Sequence, residues 1–231
     1  MPGRRWLPSV NGMTSTTRNT APTTAPILAG LAVGPLGIAA ADLANPDWPW
    51  IEWMASYFVN GRAGWLITLA AVSLAVASAS LIGPAAAHTR RHRAGLWLLG
   101  IWAVGMLTVG LVPADPPGQW DHPSTANLVH GVAGLAAFVA LPTAAALLTR
   151  VWRRDERWRP ARRWLTVTAA ATWLTLGAFA VAWVDVIGGP QLGVGSHPSV
   201  AGLLERVMVW SYVGWLAVVA AALHRIRREE S

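Results

Sequence analysis

Cysteine and lysine are both absent from this sequence, and charged residues of any kind are scarce. Without cysteine, the chain has no disulfide, no thiolate nucleophile and no cysteine-based metal site. Charged residues make up 13% of the chain, whereas a soluble domain has about a quarter. The charges that are present form short clusters between long apolar runs. This pattern is typical of an integral membrane protein rather than of a soluble one.

Sequence motifs that mark several common enzyme classes are also missing. The chain has no P-loop, no GxGxxG, no GxSxG nucleophile motif and no HExxH pair. It has no DDxxD run either, which excludes the usual way of ionising a diphosphate with Mg²⁺. We predict no bound metal and no cofactor, because no short ligand spacing joins the side chains that could ligate a metal. Those side chains are His122, His130, His197, Asp115, Asp121 and Glu205.

Six apolar runs have roughly the length that a hydrocarbon core of about 30 Å requires of a helix. The first run ends in three alanines, as a cleaved signal peptide does, but a long polar region precedes it. We therefore interpret it as the first transmembrane helix. The sequence predicts an all-α integral membrane bundle of six transmembrane helices. The runs are 27–41, 64–87, 95–112, 129–148, 164–186 and 207–223.

The arginines are concentrated in every other connection, and this distribution predicts how the protein is oriented in the membrane. The formal charge is +7, which could indicate nucleic acid, but the arginines lie in regular clusters beside the apolar runs. They occupy the second and fourth connections and both tails, whereas the first, third and fifth connections contain only Arg62 and Arg206. By the positive-inside rule, we expect a cell-membrane protein with both termini in the cytoplasm. No nucleic acid partner is expected.

The chain reads as one domain without an internal repeat. We expect a disordered cytoplasmic tail over residues 1–25, a six-helix transmembrane domain over 26–224 and a cytoplasmic tail over 225–231. Met13 is an alternative start of translation. Trp48, Trp50 and Trp53 in the first outer loop predict a short interfacial helix at the level of the headgroups.

Most acids are distributed oppositely to arginine, at the outer ends of the predicted helices. A carboxylate that lies partly in hydrocarbon is unfavourable unless it is paired or protonated, and a carboxyl kept protonated can act as a general acid. Glu205, Asp115 and Asp185 are therefore the candidate proton donors, and His130 or another carboxylate is the candidate acceptor of the final proton. Structural roles are equally open. Glu205 could stabilise the N-terminus of a helix through its dipole, and Glu205 and Arg206 could form ion pairs with Asp115 or Asp185.

Tryptophan is unusually frequent, with fifteen residues against three Phe and two Tyr. Glu205, Val209, Tyr212 and Leu216 share one helical face, which would place an acid above an aromatic ring. Aromatic faces attract cations by about 2 kcal/mol or more when water is excluded. Packing against lipid explains many of these tryptophans equally well. The predicted substrate-binding residues are Arg206, Glu52, Trp53, Tyr57, Trp102, Trp183, Trp210 and Tyr212.

Three runs of the sequence resemble a known family. VGLVPADPPG ends the third span, STANLVHGVAGLAAFVALP opens the fourth and GLLERVMVWSYVGW opens the sixth. Together they resemble the bacterial six-span family catalogued as domain of unknown function 998, over most of residues 27–223. The resemblance makes Asp115, His130, Glu205 and Arg206 the family positions and implies no reaction. The first outer loop, MASYFVNGRAGWL, departs from the Ser–Asp–Leu–Gly-like run of the family.

A looser likeness, of architecture alone, is to small integral-membrane terpene cyclases, which are also entirely helical and rely on acidic residues. On that likeness we expect a cyclase or isomerase that protonates a lipid-soluble prenylated molecule and stabilises the resulting cation with aromatic rings. Such a protein would have membrane lipids as its other partners. The alternatives are a non-enzymatic protein that binds lipid or scaffolds a partner, and a zinc-dependent lipid hydrolase. A transporter is disfavoured, because no charge lies at mid-membrane.

Overall fold

The computed structural model of the protein describes residues 24–89, 93–119, 122–190 and 192–230. The predicted N-terminal tail falls outside these residues except for its last two positions. Met13 and Asp121 are also outside them.

Within the described residues, six helices are long and apolar enough to cross a membrane. Each predicted apolar run lies almost wholly within one of them, so the predicted all-α membrane bundle is confirmed. The runs underestimated the lengths of the fourth and sixth helices, because polar residues continue both helices beyond the apolar stretch. The helices are α1 (Thr24–Ala44), α2 (Trp65–Ala87), α3 (Ala94–Leu111), α4 (Thr125–Trp152), α5 (Arg162–Gly188) and α6 (Ala201–Glu230).

Each helix packs against the next one along the chain, and α6 returns to pack against α1, so the bundle closes on itself. Small residues allow close approach, since a Cβ on Gly105 of α3 would lie 2.8 Å from the Cβ of Ala137 on α4. The helices contribute unequally to the interior. Half of the apolar window of α6 is buried but only 22% of that of α5, so α5 is the most peripheral helix.

Successive helices run in opposite directions, so the connections lie at two opposite ends of the bundle. The two ends differ in the charged residues they carry. We call the end with the α1–α2, α3–α4 and α5–α6 connections the acidic end, and the opposite end the arginine end. Thr24 at the start of α1 and His224 near the end of α6 are joined by a hydrogen bond of 2.9 Å. Both ends of the described chain therefore lie at the arginine end.

Three parallel tryptophans close the arginine end. Trp152 stacks on Trp158 with ring centroids 4.2 Å apart and also on Trp215 at 6.2 Å. Trp158 belongs to a short 3-10 helix, Glu156–Ala161, between α4 and α5. The residues predicted as a C-terminal tail continue α6 as helix as far as Glu230.

The predicted interfacial helix around Trp48, Trp50 and Trp53 is not formed. Residues 45–53 make successive turns, and a 3-10 helix follows at Ala55–Asn60. Two prolines, Pro46 and Pro49, lack the N–H groups that a continuous helix there would use. The loop instead folds back over the start of α6.

Candidate functional site

Arg206 is the centre of a polar cluster at the acidic end of the bundle. Its guanidinium makes a two-point ion pair with Asp42 of α1, with N···O distances of 2.6 and 2.9 Å. The same group donates to the carbonyl oxygens of Trp53 and Gly202 at 3.0 and 2.9 Å. Arg206 is only 6% exposed, so this set of partners balances a charge that is almost removed from water.

Aromatic rings cover the remaining faces of the guanidinium. Its central carbon lies 5.1 Å from the ring centroid of Phe58 and 5.9 Å from that of Trp50. Trp48 packs edge-on against both Phe58 and Trp53, at 5.2 Å in each case. Rings at these distances stabilise a cation, so the aromatic residues of this loop surround a positive charge supplied by the protein itself.

Glu205 is buried beside Arg206 but does not pair with it. Its Oε2 accepts a hydrogen bond from the backbone N–H of Ala55 at 2.5 Å, and the residue is 5% exposed. None of the ion pairs among the described residues includes Glu205, because Arg206 turns towards Asp42 instead. Glu205 lies in the second turn of α6, so it is not a helix cap. A carboxyl group is thus buried next to a cation without forming an ion pair in the described part of the chain.

Tyr57, on the 3-10 helix of the α1–α2 connection, lies next to this carboxyl. Burial, and after it the negative charge of Glu205, raise the pKa of the Tyr57 phenol. The phenol therefore keeps its proton at all ordinary pH values.

The α1–α2 connection is fastened to α6 by backbone and side-chain bonds. The N–H groups of Gly202 and Leu203 donate to the carbonyls of Glu52 and Ile51 at 3.2 and 2.9 Å, which satisfies N-terminal donors that a helix leaves free. His197 and Glu52 are joined by a 2.9 Å contact. A side chain at Gly202 would collide with the carbonyls of Trp50 and Trp53, so this close approach depends on glycine.

Asp115 is held in a turn at the end of the bundle rather than inside it. Its carboxylate accepts bonds from the N–H and hydroxyl of Ser124 at 2.7 and 2.6 Å. These bonds hold the pKa of the Asp115 carboxyl below its usual range, which stabilises the ionised form. The hydroxyl of Ser124 also caps α4 by accepting from Asn127 N–H at 3.0 Å. Asp115 thus serves the turn and is poorly suited to donate a proton.

His130 and Asp185 lie apart from Glu205 in the hydrogen-bond network of the described residues. The Nδ1 of His130 is 2.7 Å from the carbonyl of Val112 at the end of α3. Asp185 accepts from Leu192 N–H at 2.7 Å, and its other oxygen is buried without a partner in the described part of the chain. The expected ion pairs of Arg206 with Asp115 or Asp185 are wrong, because Asp42 takes that place.

The predicted aromatic residues are divided between the interior and the outer surface. Tyr212 and Trp102 are fully buried and pack edge-on at 5.5 Å, with their polar atoms bound to Phe138 O and Ser78 Oγ. Val209 and Leu216 are buried on the same face of α6, as predicted. The last two predicted aromatics lie elsewhere. Trp183 packs beside Phe179 at 6.1 Å, and Trp210 is exposed on the surface.

All the metal ligands considered from the sequence except Asp121 lie among the described residues. Among the described residues, no group of three or more His, Asp or Glu side chains could hold a metal ion.

A family model described as protein of unknown function (DUF998) matches residues 28–222 of the chain. The match extends from the start of α1 almost to the end of α6. The chain belongs to the DUF998 family. No curated protein and no solved structure matches it.

In this DUF998 chain, the four positions that carried the resemblance occupy two separate places. Glu205 and Arg206 lie in the buried cluster with Asp42, whereas Asp115 and His130 join α3 to α4. A link between the two places is the amide of Asn60, which donates to the Ala114 carbonyl at 3.0 Å.

Two residues that shape the polar cluster around Arg206 were missed by sequence reasoning. Asp42 had been counted only as one of several outer acids, although it is the acid nearest the end of α1. Asn45 also went unnoticed. Its side chain bonds to the backbone of Ala41 and Arg62 at 2.6 to 2.9 Å and so fixes the path of the α1–α2 connection. The usable signal for Asp42 was that Arg206, a charge directly before an apolar run, needs an acidic partner.

Proposed function

We propose that this chain is an integral-membrane enzyme that protonates a lipid-soluble isoprenoid, as a terpene cyclase or isomerase does, with Glu205 as the proton donor. The observation that supports this most is a buried carboxyl that lacks an ion pair beside an arginine that already has one. A carboxyl that is removed from water and forms no ion pair is an arrangement that general acids use.

The reaction would begin with proton transfer from the Glu205 carboxyl to an alkene carbon or to an epoxide oxygen of the substrate. The resulting carbocation would close a ring by taking an electron pair from a second alkene. Loss of a proton from the cyclised cation to the Glu205 carboxylate, which the first step leaves ionised, would form the product alkene and restore the donor. The product would therefore have the mass of the substrate.

The surroundings of Glu205 supply the other elements of this chemistry. Tyr57 offers a neutral phenol beside the carboxyl, and Trp48, Trp53 and Phe58 form aromatic walls on the same connection. Below them, Trp102 and Tyr212 already fill the interior. The substrate would therefore reach Glu205 from the side of the α1–α2 connection, and Trp102 and Tyr212 would form the floor of the site.

The surroundings of the three candidate donors favour Glu205. Asp115 is ionised by its bonds to Ser124, so we assign it to the α3–α4 turn and not to proton donation. Asp185 keeps one unpartnered oxygen among the described residues, but it lies in the last turn of α5 and bonds to Leu192 of the α5–α6 connection rather than to the α1–α2 connection. Glu205 is the donor of choice.

The test compares Glu205→Gln with Asp47→Asn in membranes given farnesyl- and geranylgeranyl-bearing compounds. Glutamine keeps an oxygen for the Ala55 N–H but has no proton to transfer, whereas Asp47 is an exposed acid of the same connection. We expect a product of unchanged mass and altered retention by mass spectrometry with the parent and with Asp47→Asn. Glu205→Gln should form none while remaining folded.

The second candidate is a non-enzymatic protein that binds lipid or scaffolds a partner. The observation in its favour is that the Arg206 cluster joins α1, α6 and the α1–α2 connection, as a purely structural lock would. No product from any compound of the panel, together with a Glu205→Gln variant that is merely less stable, would favour this candidate.

We also propose that the membrane is the cell membrane and that the arginine end faces the cytoplasm. The support is the positive-inside rule applied to the connections at that end.

A further inference from the structure

A groove runs between α4 and α5 at the arginine end of the bundle. It has a volume of about 600 Å³, and it lies beside the most peripheral helix, α5. Its walls carry small side chains that leave the space open, namely Ala146 on α4 and Ala169 and Ala170 on α5. Trp173 closes its apolar part and is itself exposed on the surface of the bundle.

The mouth of this groove is lined by arginine. Arg150, Arg153 and Arg154 contribute to it, and a neighbouring hollow that shares Arg153 adds Arg162 and Arg163. Both hollows also share Thr166, so they are adjacent. The cationic groups thus stand at one end and the apolar wall at the other.

The three arginines of the mouth are not neutralised by the protein. In the described part of the chain, the two acids of the α4–α5 connection are used elsewhere. Asp155 pairs with Arg157 at 2.6 Å, and Glu156 pairs with Arg162 at 2.8 Å. No ion pair of the described residues includes Arg150, Arg153 or Arg154, whose side chains are exposed.

We propose that this groove binds an anionic phospholipid, with its phosphate held by Arg150, Arg153 and Arg154 and one acyl chain lying along Ala146, Ala170 and Trp173. Arginine is suited to this task because its planar fork can give two hydrogen bonds to one phosphate. Basic pockets between membrane helices are where such headgroups bind. A free phosphate would satisfy the arginines but leave the apolar wall uncovered.

The test is native mass spectrometry of the purified full chain with phosphatidylglycerol, cardiolipin or phosphatidylethanolamine added. We expect phosphatidylglycerol or cardiolipin to bind and phosphatidylethanolamine to bind much more weakly. Arg153→Gln should weaken binding about tenfold, the effect of losing one strong charge-assisted contact. Arg159→Gln is the matched control, because Arg159 lies in the same connection but does not line the groove.

A second variant distinguishes lipid binding in the groove from a general attraction of anionic lipid to positive charge. Ala146→Phe leaves every arginine in place and fills the apolar part, so it should also reduce lipid binding. Equal losses in Arg153→Gln and Arg159→Gln, or unchanged binding in Ala146→Phe, would overturn the proposal. Displacement of the lipid by millimolar inorganic phosphate would assign the arginines to a free anion and overturn it as well.

Discussion

At the scale of single residues, Arg206 and Asp42 illustrate how a buried charge depends on one partner. Asp42→Asn would leave the Arg206 guanidinium inside the bundle without its counter-charge, although Asn keeps the shape. Breaking a buried pair in this way costs about 3–5 kcal/mol. We therefore expect a large drop in the free energy of unfolding of Asp42→Asn, measured by thermal or denaturant unfolding in detergent. Asp47→Asn should change it by less than about 1 kcal/mol, because Asp47 and Arg62 are exposed.

The residue scale is also where sequence reasoning was least complete. Glu205 and Arg206 were chosen because they stand beside an apolar run, whereas Tyr57 was named only among the substrate-binding residues, and the structure places all three close together. Their partner Asp42 is 164 residues away from Arg206 along the chain, and no spacing rule connects them. Which acid pairs with Arg206 depends on which helices are neighbours, and that is decided by packing of whole helices.

At the scale of elements, the turn between α3 and α4 should respond to pH through Asp115. Its pKa is lower in the folded state, because Ser124 donates two hydrogen bonds to the carboxylate. The stabilisation is complete above the ordinary aspartate pKa of about 3.9 and is lost as the pH falls through the folded-state value. We expect Ser124→Ala to lower stability at pH 7 by about 1 kcal/mol through the lost helix cap, and further through the lost hydroxyl bond to the Asp115 carboxylate. At pH 3 the loss should be smaller, because protonation of Asp115 weakens the second contribution and leaves only the cap. Ser124→Thr keeps the hydroxyl and is the control. An equal loss at both pH values would show that Asp115 is not involved.

The elements themselves were readable from sequence for a physical reason. In lipid, a chain must satisfy its backbone hydrogen bonds internally, so a long apolar run has to be a helix. The loop at Trp48–Trp53 has no such constraint. Its tryptophans suggested an interfacial helix, but Pro46 and Pro49 break the backbone pattern, and the start of α6 offers N–H donors for the loop carbonyls instead.

At the scale of the whole molecule, the closed ring of six helices separates two kinds of chemistry. The acidic end holds a buried carboxyl under an aromatic-rich connection, and the arginine end holds a cationic groove. Because the two proposed sites lie at opposite ends of the bundle, they are on opposite sides of the membrane whichever way the protein is inserted. Each can be tested without disturbing the other. Both ends of the described chain lie on the side of the arginine end.

The orientation of the molecule can be determined directly, because the chain has no cysteine of its own. Ser196→Cys places a single thiol on an exposed turn at the acidic end, and Glu156→Cys places one on an exposed position at the arginine end. A membrane-impermeant maleimide added to intact cells should label Ser196→Cys, whereas Glu156→Cys should react only after the cells are permeabilised. Removing Glu156 takes away an acid and leaves every arginine in place, so the substitution preserves the charge asymmetry that the positive-inside rule uses. The reverse labelling pattern would place the arginine groove on the outer side, and the Glu205 site would then have to receive its substrate from the cytoplasmic leaflet.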